Sequence, residues 1–234
     1  MSKNLQLVSR FALPPNFLGY CGKDSAPAKF KRCVIGGECQ EIEKEISKFI
    51  GLYPYLKTIS AITNLPIFSY EVIESYWLGN DQLKKAKVED YQLLLENLEK
   101  QGVPGFLIEE LKQKKPKVFI PNHLFQVLHV GVGRVSGSVP FNLDSINNCM
   151  IRWGKVEKIV GPKAQISLNS LKEEGLGYQL TVRGCSVPFD KSFVPGLQIG
   201  HIVAVHWNLV VKILTKKEEE KLSFWTKETL RLLF

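Results

Sequence analysis

Between Glu38 and Ile50 the apolar positions recur at helical spacing. Ile42, Ile46, Phe49 and Ile50 share one face, while Glu41, Glu43, Glu45 and Lys48 fall mostly on others. Pro54 suits the first turn of a second helix, where its missing N–H costs nothing. Further helical windows are predicted at 69–79, at 89–101 with Tyr91, Leu94, Leu95 and Leu98 in register, and at 104–114 after Pro104. The first 37 residues carry no sustained period. They are rich in Pro, Gly and aromatics through Phe11-Ala-Leu-Pro-Pro-Asn-Phe-Leu-Gly-Tyr-Cys-Gly22, and read as an irregular segment packing on the helical domain.

After a short helical turn at Leu143 to Asn148 the pattern becomes β. Strands are predicted at Cys149 to Val160, Ala164 to Leu168, Tyr178 to Arg183 and His201 to Leu214, the last one long and bent. Thr215-Lys-Lys-Glu218 spells a capping box opening a C-terminal helix whose Leu222, Trp225, Thr229 and Leu232 or Leu233 should cover apolar surface of the sheet. The expected fold class is α+β: an irregular segment over 1–37, a helical domain over 38–142, then a small OB-like β-barrel with a packing helix over 143–234.

Composition narrows the function classes. With 44% hydrophobic residues in 234, the chain can bury a real core, which excludes wholesale disorder. No stretch approaches the roughly 18 uninterrupted apolar residues of a spanning helix, and residues 1–10 lack a secretory apolar run, so a cytoplasmic protein with no membrane partner is expected. Five cysteines without framework spacing then read as reduced thiols rather than disulfides. The formal charge of +8 attracts polyanions or an acidic protein without choosing between them. The densest basic run, Lys112, Lys114, Lys115 and Lys117, closes a predicted helix and complements its dipole.

Within the β region one spaced pattern carries a resemblance. Cys149-Met-Ile-Arg-Trp-Gly-Lys-Val156, the turn at Gly161 and Ala164, and Val194-Pro-Gly-Leu-Gln-Ile-Gly-His-Ile-Val-Ala-Val-His206 resemble the HypC/HupF hydrogenase-maturation chaperones over roughly 149–233. The resemblance implies an OB-like barrel in which Cys149 is a thiolate ligand and His206 an imidazole ligand or neighbour. Their cargo would be an iron centre bearing cyanide and carbonyl, and the implied partner a hydrogenase maturation protein or the hydrogenase large subunit. Thiolate and neutral imidazole are donors that suit iron. Strict alternation along Ile202 to Leu214 turns His206 away from Val203, Val205 and Trp207, so it is expected to face outward. Here the cysteine is internal, and Trp207-Asn208 stands where that family has a glycine. Ser9 to Asn16 and Gly19 to Gly22 make the whole chain similar to an uncharacterised prokaryotic family of unknown function.

Two other function classes compete. An enzyme could use Cys21, in Gly19-Tyr-Cys-Gly22, as a nucleophile activated by Lys23, with His123 or His129 as its base. A nucleic-acid-binding barrel could stack bases on Trp153, Tyr178 and Trp207, although these read first as core. Cys33-Val-Ile-Gly-Gly-Glu-Cys39 could join Cys21 around a metal but lacks a second pair at zinc spacing. His123 and His129 lie on different faces of any helix that carries both, so they do not share an ion. Gly131-Val-Gly-Arg-Val-Ser-Gly137 matches a phosphate loop only in spelling and reads as a connector. Cys185 has no partner in view.

Overall fold

The computed structural model describes residues 2–22 and 26–234. Helices fill the N-terminal half: α1 Lys3–Phe17, α2 Ala26–Gly36, α3 Ile42–Ile46, α4 Leu52–Thr63, α5 Tyr70–Trp77, α6 Tyr91–Lys100 and α7 Gly105–Gln113. A single turn, α8 His123–Phe125, runs on into π turns over Gln126–Gly131, and α9 Leu143–Cys149 leads into the sheet. Strands β1 Arg152–Val160, β2 Lys163–Glu174, β3 Gly177–Pro188, β4 Ile202–His206 and β5 Leu209–Ile213 pair antiparallel in the order β3-β2-β1-β4-β5. Helix α10, Lys216–Leu233, closes the fold. The mixed class is as the sequence leads one to expect, but the sheet keeps two edges, β3 and β5, and is not closed.

The segment expected to be irregular contains α1 and α2. Pro14 and Pro15, which spell a break in the sequence, sit instead in the last turn of α1. Lacking N–H groups, they donate no helical bond to the carbonyls of Arg10 and Phe11. Helix α1 packs against α2, α5 and the β4–β5 hairpin, with Val8, Phe11 and Ala12 buried. One apolar cluster therefore runs from Leu5 and Phe11 through Tyr55 and Leu94 to Val156, Val203 and Val211, joining the helices and the sheet.

Two predicted elements differ in detail. The long strand from His201 to Leu214 is a hairpin, broken at Trp207 and Asn208, whose φ values of 45° and 55° give the left-handed pair that a two-residue turn requires. Gly154, part of the Gly-Lys-Val motif, is demanded by packing: a Cβ there would collide with the Ser167 backbone of β2. The capping box is formed, with the Thr215 hydroxyl accepting from Glu218 N at 3.3 Å and Thr215 N donating to Glu218 Oε2 at 3.0 Å. Helix α10 reaches past the sheet to the helical half. Lys221 pairs with Glu74 at 2.7 Å, and Trp225 lies against Gly79.

Cys33 and Cys39, expected as reduced thiols or metal ligands, form a disulfide. The Gly36-Gly37 turn after α2 brings their Cα atoms to 4.5 Å, within bonding range, which residue spacing alone does not reveal. Among the described residues no helix is long and apolar enough to cross a membrane.

Candidate metal centre

Cys149 and His206, 57 positions apart in sequence, are brought together by one short backbone link. The Trp207 N–H, next to His206, donates to the carbonyl of Asn148, next to Cys149, at 2.7 Å. Each side of this link is fixed separately. Asn142 caps α9, accepting from Ser145 N at 2.9 Å. Asn147 then pins the helix to β2, donating to Leu171 O at 3.0 Å and accepting from Leu171 N at 2.7 Å. Cys149 thus ends a helix rather than opening a strand. His206 ends β4, immediately before the turn whose Trp207 occupies a backbone region unfavourable for a bulky residue.

His206 does not face outward. It is 1% exposed, because α1 and the rings of Trp77 and His123 cover the face of β4 that alternation points to solvent. Its Nδ1 donates to the Phe11 carbonyl at 2.7 Å. Pro15 makes that acceptor free, since a residue with an N–H at 15 would bond to it within the helix. A carbonyl can only accept, so Nδ1 carries the hydrogen and Nε2 presents a lone pair. That Nε2 is buried and, among the described residues, has no hydrogen-bond partner. A neutral imidazole held through one nitrogen by a backbone carbonyl, with the other nitrogen free, is the arrangement of a metal-ligating histidine.

The structure adds His123, which the sequence offered only as a base for Cys21. One donor atom each from His123, Cys149 and His206 lies within 4.8 Å of the others. His123 opens α8, where Asn122 caps the turn and donates to Thr229 of α10 at 2.8 Å. Both its nitrogens are engaged: Nε2 donates to the Cys149 carbonyl at 2.7 Å, so Nδ1 accepts from the Tyr76 hydroxyl at 3.0 Å. Nε2 also lies 3.9 Å from Cys149 Sγ. His123 enters a ligand set only by giving up one of those bonds. Cys149 Sγ has the long 3.9 Å contact with His123 Nε2, and His206 Nε2 makes no hydrogen bond within the described residues.

Electrostatics keeps the cluster neutral. Burial pushes His123 down to about 4, opposed by its bond to the Cys149 carbonyl. His206 falls well below the usual imidazole range, chiefly through burial and then through the neighbouring His123 charge. The Cys149 thiol is pushed well up by burial and then by Cys21, while the neighbouring Trp207 indole N–H acts the other way and favours the thiolate. The resting state is thus a neutral thiol beside neutral imidazoles.

A cavity of about 330 Å³ opens on this cluster. Its walls are largely apolar, with Phe49, Trp77, Val127 and Val139 among them, and the connector Val132 to Val139 forms one side. Gly133 in that connector has φ 76°, and a Cβ would strike the Val139 carbonyl, so its glycine serves a tight turn as expected. Cys21 lines the same cavity. Although the residue as a whole is exposed, burial of its thiol against the cavity pushes it up to about 11, the opposite of an activated nucleophile. Lys23, invoked as its activator, lies outside the described residues. His129 is elsewhere, 3.0 Å from the Tyr91 hydroxyl and stacked on Phe125.

Of the three aromatics offered as stacking platforms, Trp153 is buried, Tyr178 packs edge-on against Phe234, and Trp207 packs on Tyr20 with ring centroids 4.5 Å apart. Cys185 sits half-buried on β3 and is not among the residues of the cluster. The sequence offered Trp207 only as a stacking aromatic, and gave the Phe11 carbonyl no role. The signals available for them were Trp207-Asn208 in place of a glycine and the Pro14-Pro15 pair.

No curated protein and no solved structure matches the chain. A family model described as a family of unknown function (DUF6390) matches residues 2–233. With nearly its whole length matched, the chain belongs to that family of unknown function.

Proposed function

We propose that the protein binds one transition-metal ion through the Cys149 thiolate and His206 Nε2 and acts as an accessory factor in the assembly of a metalloenzyme. The observation that supports this most directly is the unpartnered, buried Nε2 of His206 beside Cys149, with its tautomer set by the Phe11 carbonyl. An unpaired buried acceptor carries a desolvation cost that ligation would remove. The donor types, a soft thiolate and imidazole, suit iron, zinc or copper rather than magnesium or calcium.

The finer reading is a role in nickel-iron hydrogenase maturation, with an iron unit carrying cyanide and carbonyl as cargo and a maturation protein or the large subunit as partner. It rests on the sequence resemblance of residues 149–233. The apolar cavity next to the cluster gives such an iron unit room for ligands the protein does not supply. Anaerobic purification from cells making hydrogenase, followed by iron analysis and infrared spectroscopy, tests it. Bound iron with cyanide and carbonyl bands, both lost in Cys149→Ala, is the expected result. Iron without those bands removes the hydrogenase reading and leaves the metal site; no metal of any kind removes both.

A further inference from the structure

The cavity of about 330 Å³ is larger than the metal cluster needs, and most of the residues that line it are not donors. Part of its wall comes from Gln126–Gly131, where the helix widens into π turns and Val132 N donates to Val127 O, five residues back, at 3.0 Å. Widened turns of this kind give up regular helical bonding and recur at functional sites.

Gln126, at the start of that stretch, lines the cavity and is 9% exposed. Its Oε1 is buried and has no hydrogen-bond partner among the described residues. Other buried amides of the helical half are used. Asn80 donates to Glu71 O and Glu74 Oε2, both at 2.9 Å, Asn97 to Thr58 Oγ1 at 3.0 Å, and Asn122 to Thr229 Oγ1 at 2.8 Å. An unpaired buried acceptor carries a desolvation cost that a ligand donor would remove. Gly51, also on the wall, leaves space beside the amide: even an added Cβ would stay 3.5 Å from Gln126 Nε2.

Around this amide the walls are largely apolar, with Phe49, Leu52, Trp77 and Val127 among them. Among the described residues no carboxylate lines the cavity, and the one charged side chain that does, Lys48, is already paired with Glu45 at 2.7 Å. Such a chamber selects an uncharged guest, because a charged one would lose its hydration without gaining a free counter-ion. Both sides of an amide are matched only by a head group that donates and accepts at once, as a second carboxamide does. We infer that the cavity is a binding site for a small uncharged carboxamide, its apolar body against Phe49, Trp77 and Val127 and its head on Gln126. The ligand N–H donates to Gln126 Oε1, and the ligand carbonyl accepts from Gln126 Nε2. The volume is ample, since apolar cavities of about 150 Å³ hold benzene. Gln126 is not a member of the donor cluster, so this site goes beyond the metal reading and does not depend on it.

The test is isothermal titration calorimetry of the full-length, chelator-treated protein with benzamide, benzoate and toluene, three probes of similar size. Benzamide should saturate at one equivalent. Benzoate and toluene should each bind about tenfold or more weakly, the first for its charge and the second for the hydrogen bonds it cannot make. Gln126→Leu should bring benzamide down to the level of toluene while toluene binds as well as before or better. Gln126→Asn, which keeps the amide but withdraws it by one methylene, should weaken benzamide alone. Circular dichroism checks that both variants fold, and Gln126→Asn carries the comparison if the leucine variant does not. No saturable binding of any probe would overturn the site, as would benzoate binding tightest or toluene binding as well as benzamide. Benzamide held equally by the wild type and the folded variants would overturn the role of Gln126.

Discussion

At the residue scale, the decisive features are which nitrogen carries a hydrogen and which carbonyl has been left free. Pro15 withholds an N–H from Phe11 O, Phe11 O accepts from His206 Nδ1, and His206 Nε2 is left as a lone pair. Pro15→Ala supplies a competing helical donor. Its expected effect is a loss of metal affinity of up to about tenfold with unchanged or improved thermal stability, read by cobalt titration beside a melting curve. The buried histidines also predict a pH dependence. His123 is held neutral in the fold down to about 4, whereas in the unfolded chain it takes up a proton near 6.5. Stability is therefore level above pH 6.5, declines as pH falls from there toward 4, and loses about 2 kcal/mol from this group by pH 5. His206 is shifted in the same direction and deepens the decline. Urea midpoints at pH 7 and pH 5 measure it, and His123→Gln should flatten part of the slope.

At the element scale, short pieces carry the site: a seven-residue helix, a single helical turn and a two-residue hairpin turn. Asn147 joins the first of these to the sheet. Asn147→Ala leaves the Leu171 N–H and carbonyl without their buried side-chain partner, which should cost on the order of 2 kcal/mol and weaken metal binding together, since Cys149 rides on the same helix. Chemical denaturation and cobalt titration of this variant check the coupling. Thr215→Ala is the matched control. It removes a helix cap remote from the cluster and should cost about 1 kcal/mol while leaving metal affinity unchanged.

These elements also show what a linear pattern conveys. The helices α4 to α7 and the capping box of α10 were legible because each is stated locally, by periodicity or by a cap within four residues. Helix α1 was not, because Pro14-Pro15 says helix break wherever its tertiary support is unknown. The β4–β5 hairpin was hidden for the complementary reason. Trp-Asn is a poor turn sequence on its own, and Trp207 takes a positive φ only because its ring is packed against Tyr20 and its N–H is bonded to Asn148.

At the scale of the whole molecule, the cavity exists because helices from the first half are laid on the sheet of the second. The Phe11 carbonyl comes from α1, Cys21 from the turn that follows it, His123 from α8, Cys149 from α9 and His206 from β4. The same docking depends on α10, whose Trp225 sits where Gly79 has no side chain. Gly79→Ala meets both a collision with that ring and an unfavourable φ of 78°, so it should destabilise the protein by several kcal/mol, on the scale of core overpacking, and lower metal occupancy through loss of the fold. Thermal unfolding beside a metal titration checks this, with the melting temperature and the occupancy falling together.

The sequence by itself determined the order of helices, sheet and closing helix, because periodicity and caps are written along the chain, and it offered Cys149 and His206 as a pair only through a resemblance. Only the tertiary structure decided that His206 is buried with one nitrogen unbonded, that His123 stands beside it, and that Cys33 and Cys39 are bonded. Those outcomes depend on which carbonyls remain unpaired and which distant surfaces meet, and neither is fixed until the apolar faces of α1, the sheet and α10 have found one another.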